Sequence, residues 1–228
     1  MPVLRDREPN RSGVLRSVRD SSHPRGVRRT ALIFAGGRAT RLGGVNKALL
    51  DVGGASIVAR ILASLGPLVD ERVLLANDAT LAEQPDVRLI FDPSPHAGVL
   101  PALATGLAAA EGDLCLAVAC DMPFVSRRLF EHMLEIQQRD DVDVVIPRSA
   151  GFLEPMHAVY RRRPTLDAIA AALQRGEQRM ISYLSAVRVR EIDEADWRLI
   201  DLPGTAFFNV NTPEDLAEAR RIAAEQPV

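Results

Sequence analysis

Short apolar runs alternate along this chain with Ala- and Leu-rich stretches of helical length, and few folds tolerate that order. "ALIFA" (31–35), "RVLLAN" (72–77), "VRLIFD" (87–92), "LCLAVACD" (114–121) and "VDVVIP" (142–147) are apolar, of strand length, and too uniform to be strands with one wet face. Between them, "SIVARILASLG" (56–66), "LPALATGLAAAEG" (100–112) and "SRRLFEHMLEIQQ" (126–138) carry apolar residues at helical spacing. Ser126 is a natural N-cap for the last of these, and Gly112 reads as a C-cap for the second. Strands buried on both faces and linked by helices require right-handed crossovers. The expected fold class is therefore three-layer α/β/α, with a mostly parallel, Rossmann-like sheet.

After residue 150 the pattern loosens. It runs through "EPMHAVYRRR" (154–163), a helix "TLDAIAAALQRG" (165–176), an extended "VRVREI" (187–192) and a final helix in "NTPEDLAEARRIAAE" (211–225). Thr212, Pro213 and Glu214 supply a cap, a proline at the first helical position and an acid in the first turn. Internal repeats and linkers are not visible, so residues 30–228 are expected to form one domain. Residues 1–29 hold eight arginines among Ser, Pro and Gly without an amphipathic period, and are expected to be a disordered basic extension.

Bulk properties exclude several functions. A net charge of −2 and a pI near 6.1 give no electrostatic basis for nucleic acid as the main partner. The arginine-rich arm keeps nucleic-acid binding only as a minor alternative. Cys115 and Cys120 lie inside an apolar run and read as core thiols. The chain shows neither an apolar span of transmembrane length nor a secretory core near its start, so no membrane partner and a cytoplasmic location are expected.

Ligands of open parallel sheets bind beyond the carboxyl ends of the strands. There this chain has Gly36–Gly37 after the first run, Asn77 after the second, Asp92 after the third and Asp121 after the fourth. The glycine loop contains Gly36, Gly37, Arg38, Arg41, Gly43, Gly44 and Lys47, and it fits neither the P-loop nor the dinucleotide fingerprint. Glycines let backbone N–H groups close on phosphate oxygens, and the three cations add full charge. Lys47 is the single lysine among 28 basic residues, all others being arginine. A compact ammonium seats among crowded oxygens where a planar fork does not.

"AGGRATRLGGVNKALL" resembles the signature of Rossmann-like nucleotidyltransferases, and most closely that of the molybdenum cofactor guanylyltransferases. The resemblance continues through "ANDAT", "IFDPSPHAG", "CDMPFVS", "EPMHAVY", "RGEQRMISYL" and "FFNVNTPEDLAEA". It implies that Phe34, Ala35 and Gly36 hold the guanine and ribose side, that Gly37 also binds the nucleotide and that Lys47 holds phosphates. It further implies that Asn77 and Asp92 contact the nucleotide and that Asp121 ligates Mg²⁺. Residues 154–160 and 176–182 would shape the molybdopterin side. Phe34 stands in place of the usual Leu, Asn46 in place of a frequent Asp, and "GVLPALATGL" (98–107) displaces a proline in a loop near the base. The Gly-Gly pair favours GTP over CTP.

The implied reaction moves GMP from GTP to the terminal phosphate of molybdopterin, forming the guanine dinucleotide cofactor and releasing pyrophosphate. The attacking phosphate is already ionised at neutral pH, so a general base is not required, and His96 reads as a loop residue. Lys47 and Arg41 would offset charge on the leaving group, while Asp121 would hold Mg²⁺. Cofactor-delivery proteins and molybdoenzymes are the partners such a reaction implies. Two other readings are a cytidylyltransferase acting on molybdopterin or another phosphorylated small molecule, and a nucleotide-binding regulator without catalysis.

Overall fold

The computed structural model describes residues 26–36, 46–84, 86–93 and 97–225. Of the predicted site, Gly37, Arg38, Arg41, Gly43, Gly44 and His96 lie outside the described residues, as does the basic extension up to residue 25.

One twisted sheet organises the chain. Strand β1 (Arg29–Phe34) is flanked by β2 (Glu71–Leu75) and β4 (Leu114–Ala119), both parallel to it, and β3 (Arg88–Ile90) adds parallel to β2. Beyond β4 lies β7 (His157–Arg161), then β5 (Val144–Ser149), which pairs in turn with the short β6 (Phe152–Leu153) and with β8 (Val189–Ile192). β7 runs antiparallel to both β4 and β5, while β8 is parallel to β5. The sheet is thus mostly parallel, with an antiparallel insertion where the sequence pattern loosened.

Side chains alternate between the two faces along each strand, and the core divides accordingly. Ala31, Ile33, Leu116 and Val118 pack under α1 (Ile57–Leu65), α3 (Arg127–Asp140), α5 (Glu194–Ile200) and α6 (Pro213–Glu225). Leu32, Phe34, Cys115 and Ala117 pack under α2 (Val99–Ala109) and α4 (Arg162–Gln174). Helices cover both faces, which is the expected three-layer architecture.

Local chemistry starts the helices where expected. The Ser56 hydroxyl accepts from Ala59 N–H at 3.3 Å, and Ile57, Val58, Ile61 and Leu65 then turn one stripe into the core. Ser126 caps α3 and Thr212 caps α6 in the same way. Gly112 is different from its expected role. Helix α2 ends at Ala109, and Gly112 lies beyond it, where a Cβ would come within 2.7 Å of Thr30 Oγ1 and 2.9 Å of the Arg28 carbonyl. Its N–H donates to Thr30 Oγ1 at 3.0 Å, so close passage of the chain by β1, not helix capping, requires glycine here.

Two elements escaped the sequence pattern. β7 is buried yet carries His157 at its start, which breaks the apolar run. α5 is short and mostly exposed, and is held by the fully buried Trp197, whose Nε1 donates to the Arg148 carbonyl at 3.0 Å. The described chain also begins its sheet slightly early. β1 starts at Arg29, and the Arg28 carbonyl accepts from Asp113 N–H at 2.7 Å, so the residues just before Thr30 already belong to the fold.

Candidate active site

The crossover from β1 to β2 passes through α1 on one face of the sheet, and the crossover from β3 to β4 passes through α2 on the other. The chain therefore diverges between the adjacent strands β1 and β4, and a crevice opens at their carboxyl ends. It holds about 690 Å³ and is lined by Phe34, Ala35 and Gly36 at the end of β1, and by Cys120, Asp121 and Met122 after β4. Short backbone bonds knit its floor: Ala35 N–H to the Leu75 carbonyl at 2.8 Å and Cys120 N–H to the Phe34 carbonyl at 2.9 Å.

Lys47 enters this crevice from a short 3-10 turn, Lys47–Leu49, that the Asn46 side chain caps by accepting from Ala48 N–H at 3.0 Å. Asn46 Nδ2 also donates to Asp78 at 3.0 Å, tying the turn to the segment after β2. The Lys47 ammonium then lies 2.5 Å from Asn211 Oδ1 and 3.8 Å from Asp121 Oδ2. Four of the five residues expected around one crevice (Gly36, Lys47, Asp92 and Asp121) do line it. Asn77 lies exposed just past β2 and is not among the lining residues.

Two polar lining residues were not singled out from the sequence, Asn209 and Asn211, whereas Glu154 opens the segment 154–160 expected on the molybdopterin side. The two asparagines alternate in "NVN", a spacing that puts both side chains on one side of an extended chain. That pattern, immediately before a helix cap, is the local signal that could have marked them.

The crevice is electrostatically unbalanced. Burial raises the Asp121 carboxyl above its usual range, and the Lys47 ammonium only partly opposes this. Asp121 Oδ1 is buried without a hydrogen-bond partner. Glu154 is raised as well, first by burial and then by the charge of Asp121. A buried orphan carboxylate oxygen beside a second carboxylate suits a hard cation such as Mg²⁺. Among the described residues no group of three or more His, Cys, Asp or Glu side chains converges as a metal site, so a cation here would take most of its shell from water and phosphate. Burial pushes Cys115 up to about 12 and Cys120 higher still, which keeps both thiols protonated and inert.

Glycine leaves room for a ligand at two points. A Cβ on Gly36 would meet nothing within 4 Å, so its bare backbone is open to the crevice. Gly98, the N-cap of α2, has φ of +103°, a conformation other residues rarely adopt, and no side chain caps the helix there. The same crevice is also lined by the apolar residues Phe34, Val99 and Ala102. The arrangement offers a cation, carboxylates and an aromatic and aliphatic surface in one crevice, as a nucleoside triphosphate requires.

The family description "MobA-like NTP transferase domain" matches residues 31–189. A probable molybdenum cofactor guanylyltransferase from Pelotomaculum thermopropionicum is 34% identical over 194 residues, covering 85% of this chain and 93% of that protein. One of the same description from Natronomonas pharaonis is 34% identical over 198 residues, covering 84% and 96%. Among solved structures, molybdopterin-guanine dinucleotide biosynthesis protein A from Archaeoglobus fulgidus superposes with a TM-score of 0.72 at 24% identity, covering 86% of this chain and all of that one. Among the described residues no helix is long and apolar enough to cross a membrane.

Proposed function

Because the chain belongs to the MobA-like NTP transferase family, we propose that it transfers GMP from GTP to molybdopterin in molybdenum cofactor biosynthesis. A terminal phosphate oxygen of molybdopterin attacks the α-phosphorus of GTP. The bond from that phosphorus to the oxygen bridging to the β-phosphate breaks, and pyrophosphate leaves. The observation that carries the chemistry is the pairing of Lys47 with Asp121 across the crevice at 3.8 Å, in a chain whose relatives are described as guanylyltransferases.

The residues of this chain act by position and charge. Lys47 offsets negative charge on the phosphates, and Asn211 orients its ammonium through the 2.5 Å contact. Arg41, in the glycine loop, is assigned to the leaving pyrophosphate. Phe34, Ala35 and Gly36 receive the nucleoside, with Gly37 following in the loop, and Asp92, which lines the crevice, is assigned a contact to it. Asp121 would hold Mg²⁺, with Glu154 beside it, and the ion when bound would supply charge neutralisation. The acceptor phosphate is an anion at neutral pH, so a proton need not be removed by the protein. Glu154 and Met156, which line the crevice, belong to the segment 154–160 assigned to molybdopterin.

The test is direct. The protein is incubated with Mg²⁺, molybdopterin and each of the four nucleoside triphosphates, and pyrophosphate is measured. GTP alone should support release. Release with CTP and not GTP would replace this reading with cytidylyl transfer, and release with neither would remove it.

A further inference from the structure

Glycine is among the poorest helix formers, yet Gly106 sits fully inside α2 and is buried. Its surroundings give the reason. A Cβ built on Gly106 would lie 3.1 Å from Phe34 Cζ and 3.3 Å from Phe34 Cε1, closer than such contacts ordinarily come. The same atom would stand 3.4 Å from Leu32 Cδ1, so the strand beneath closes the space on that side as well. The ring of Phe34 therefore occupies the hollow that a side chain at position 106 would fill.

That ring also has a second face. Phe34 lines the crevice, and so do Ala102 and Val99, which follow Gly106 toward the start of α2 at spacings of four and seven residues and so lie on the same side of the helix. Phe34 is only 9% exposed, so its position is set by what it packs against, and it borders the crevice. Adding a methyl group beneath α2 would drive the ring toward the ligand.

We propose that Gly106 is a positioning residue for base selection: by leaving a hollow under α2 for the Phe34 ring, it keeps the apolar part of the crevice wide enough for a two-ring base. This rests on the reading of the crevice as a nucleoside triphosphate site. A wall displaced into the crevice excludes a purine before it excludes a smaller pyrimidine, so the effect is on selectivity and not on binding in general.

The experiment measures equilibrium binding of fluorescent GTP and CTP analogues to the full chain and to Gly106→Ala, Phe34→Leu and the double variant, with circular dichroism for folding. Gly106→Ala should weaken GTP about tenfold or more while changing CTP by less than about threefold. In the Phe34→Leu background the same alanine should leave the GTP-to-CTP ratio within about threefold of Phe34→Leu alone, because the clashing ring is gone. Equal losses for both nucleotides, or a double variant as impaired as Gly106→Ala, would overturn the proposal. If Gly106→Ala fails to fold, a folded double variant still supports the ring as the obstacle, and an unfolded one refutes it. An unaltered chain that binds CTP analogues and not GTP, or neither, removes the functional reading itself and this proposal with it.

Discussion

Lys47 Nζ lies 2.5 Å from Asn211 Oδ1, although 164 residues separate the two in the chain. The C-terminal segment is pinned where it makes this contact. Val210 N–H donates to the Asp121 carbonyl at 2.8 Å, and Asp215 Oδ2 accepts from Asn211 N–H at 2.9 Å and from Thr212 N–H at 2.8 Å. The ammonium expected to meet phosphates is thus aimed by the start of α6, the last helix, and the same segment is bonded to the backbone of the residue expected to hold the metal.

Lys47→Ala should lower turnover by roughly 10²–10³-fold, the usual loss for one preorganised donor at a developing charge. Lys47→Arg should still lose about tenfold or more, because a planar fork does not fit a seat shared by Asn211 and Asp121. Pyrophosphate release under saturating GTP checks both. Near-normal rates in the arginine variant would mean that the ammonium has no special role.

Asp121→Asn should separate stability from catalysis. The folded carboxyl is raised above its unfolded value, so its favourable contribution is present below about pH 4 and is lost as pH rises through the folded value. At neutral pH and without divalent cation the amide variant should therefore unfold at an equal or higher temperature than the parent. Added Mg²⁺ should raise the melting temperature of the parent more than that of the variant, while turnover falls roughly 10²–10³-fold. A variant that melts lower in EDTA, or gains as much from Mg²⁺ as the parent, would contradict the assignment.

His157 should make the protein acid-sensitive. Its ring is fully buried between Phe130 and Phe207, at centroid distances of 4.8 and 4.7 Å, and neither nitrogen has a hydrogen-bond partner. Burial pulls its pKa from 6.5 down to about 3. Between those values the unfolded chain takes up a proton that the folded one refuses, so stability falls as pH drops through that window. His157→Phe should keep the stacking, add about 1–2 kcal/mol at pH 7 by removing unsatisfied polar atoms, and flatten the decline between pH 6 and pH 4. Urea midpoints across that range measure it, and an unchanged slope would show that other groups govern acid unfolding.

Deleting residues 1–25 should leave GTP turnover within about twofold and stability within about 0.5 kcal/mol. Deleting through Arg29 should cost more, because β1 begins at Arg29 and the Arg28 carbonyl accepts from both Asp113 and Leu114 N–H. Thermal melts of the two truncations side by side provide the comparison. Equal melting temperatures would place the start of the fold later than β1 indicates.

The layers of the fold were legible before any coordinates because burial writes itself into local pattern. Runs such as "ALIFA" and "LCLAVACD" can be apolar throughout only if helices cover both faces, and Ser56, Ser126 and Thr212 mark where helices begin. The boundary residues Gly36, Asp92 and Asp121 were legible for the same reason, since the end of an apolar run is the edge of the sheet. Lys47 was legible as the single lysine of a cationic glycine loop, although Asn77, at the end of another run, does not line the crevice. What local pattern could not carry is who meets whom across the chain. β7 enters between β4 and β5 against the prevailing direction, with Val118 opposite His157 and Val145 opposite Val159, pairings between residues distant in the chain that no local pattern announces. Gly112 looks like a cap until Thr30 is placed against it, and Gly106 looks like a weak point of α2 until the Phe34 ring is placed beneath it. The grip of Asn211 on Lys47 belongs to the same class: both residue types were visible from the start, but only closure of the sheet and docking of α6 brought their atoms within hydrogen-bonding reach.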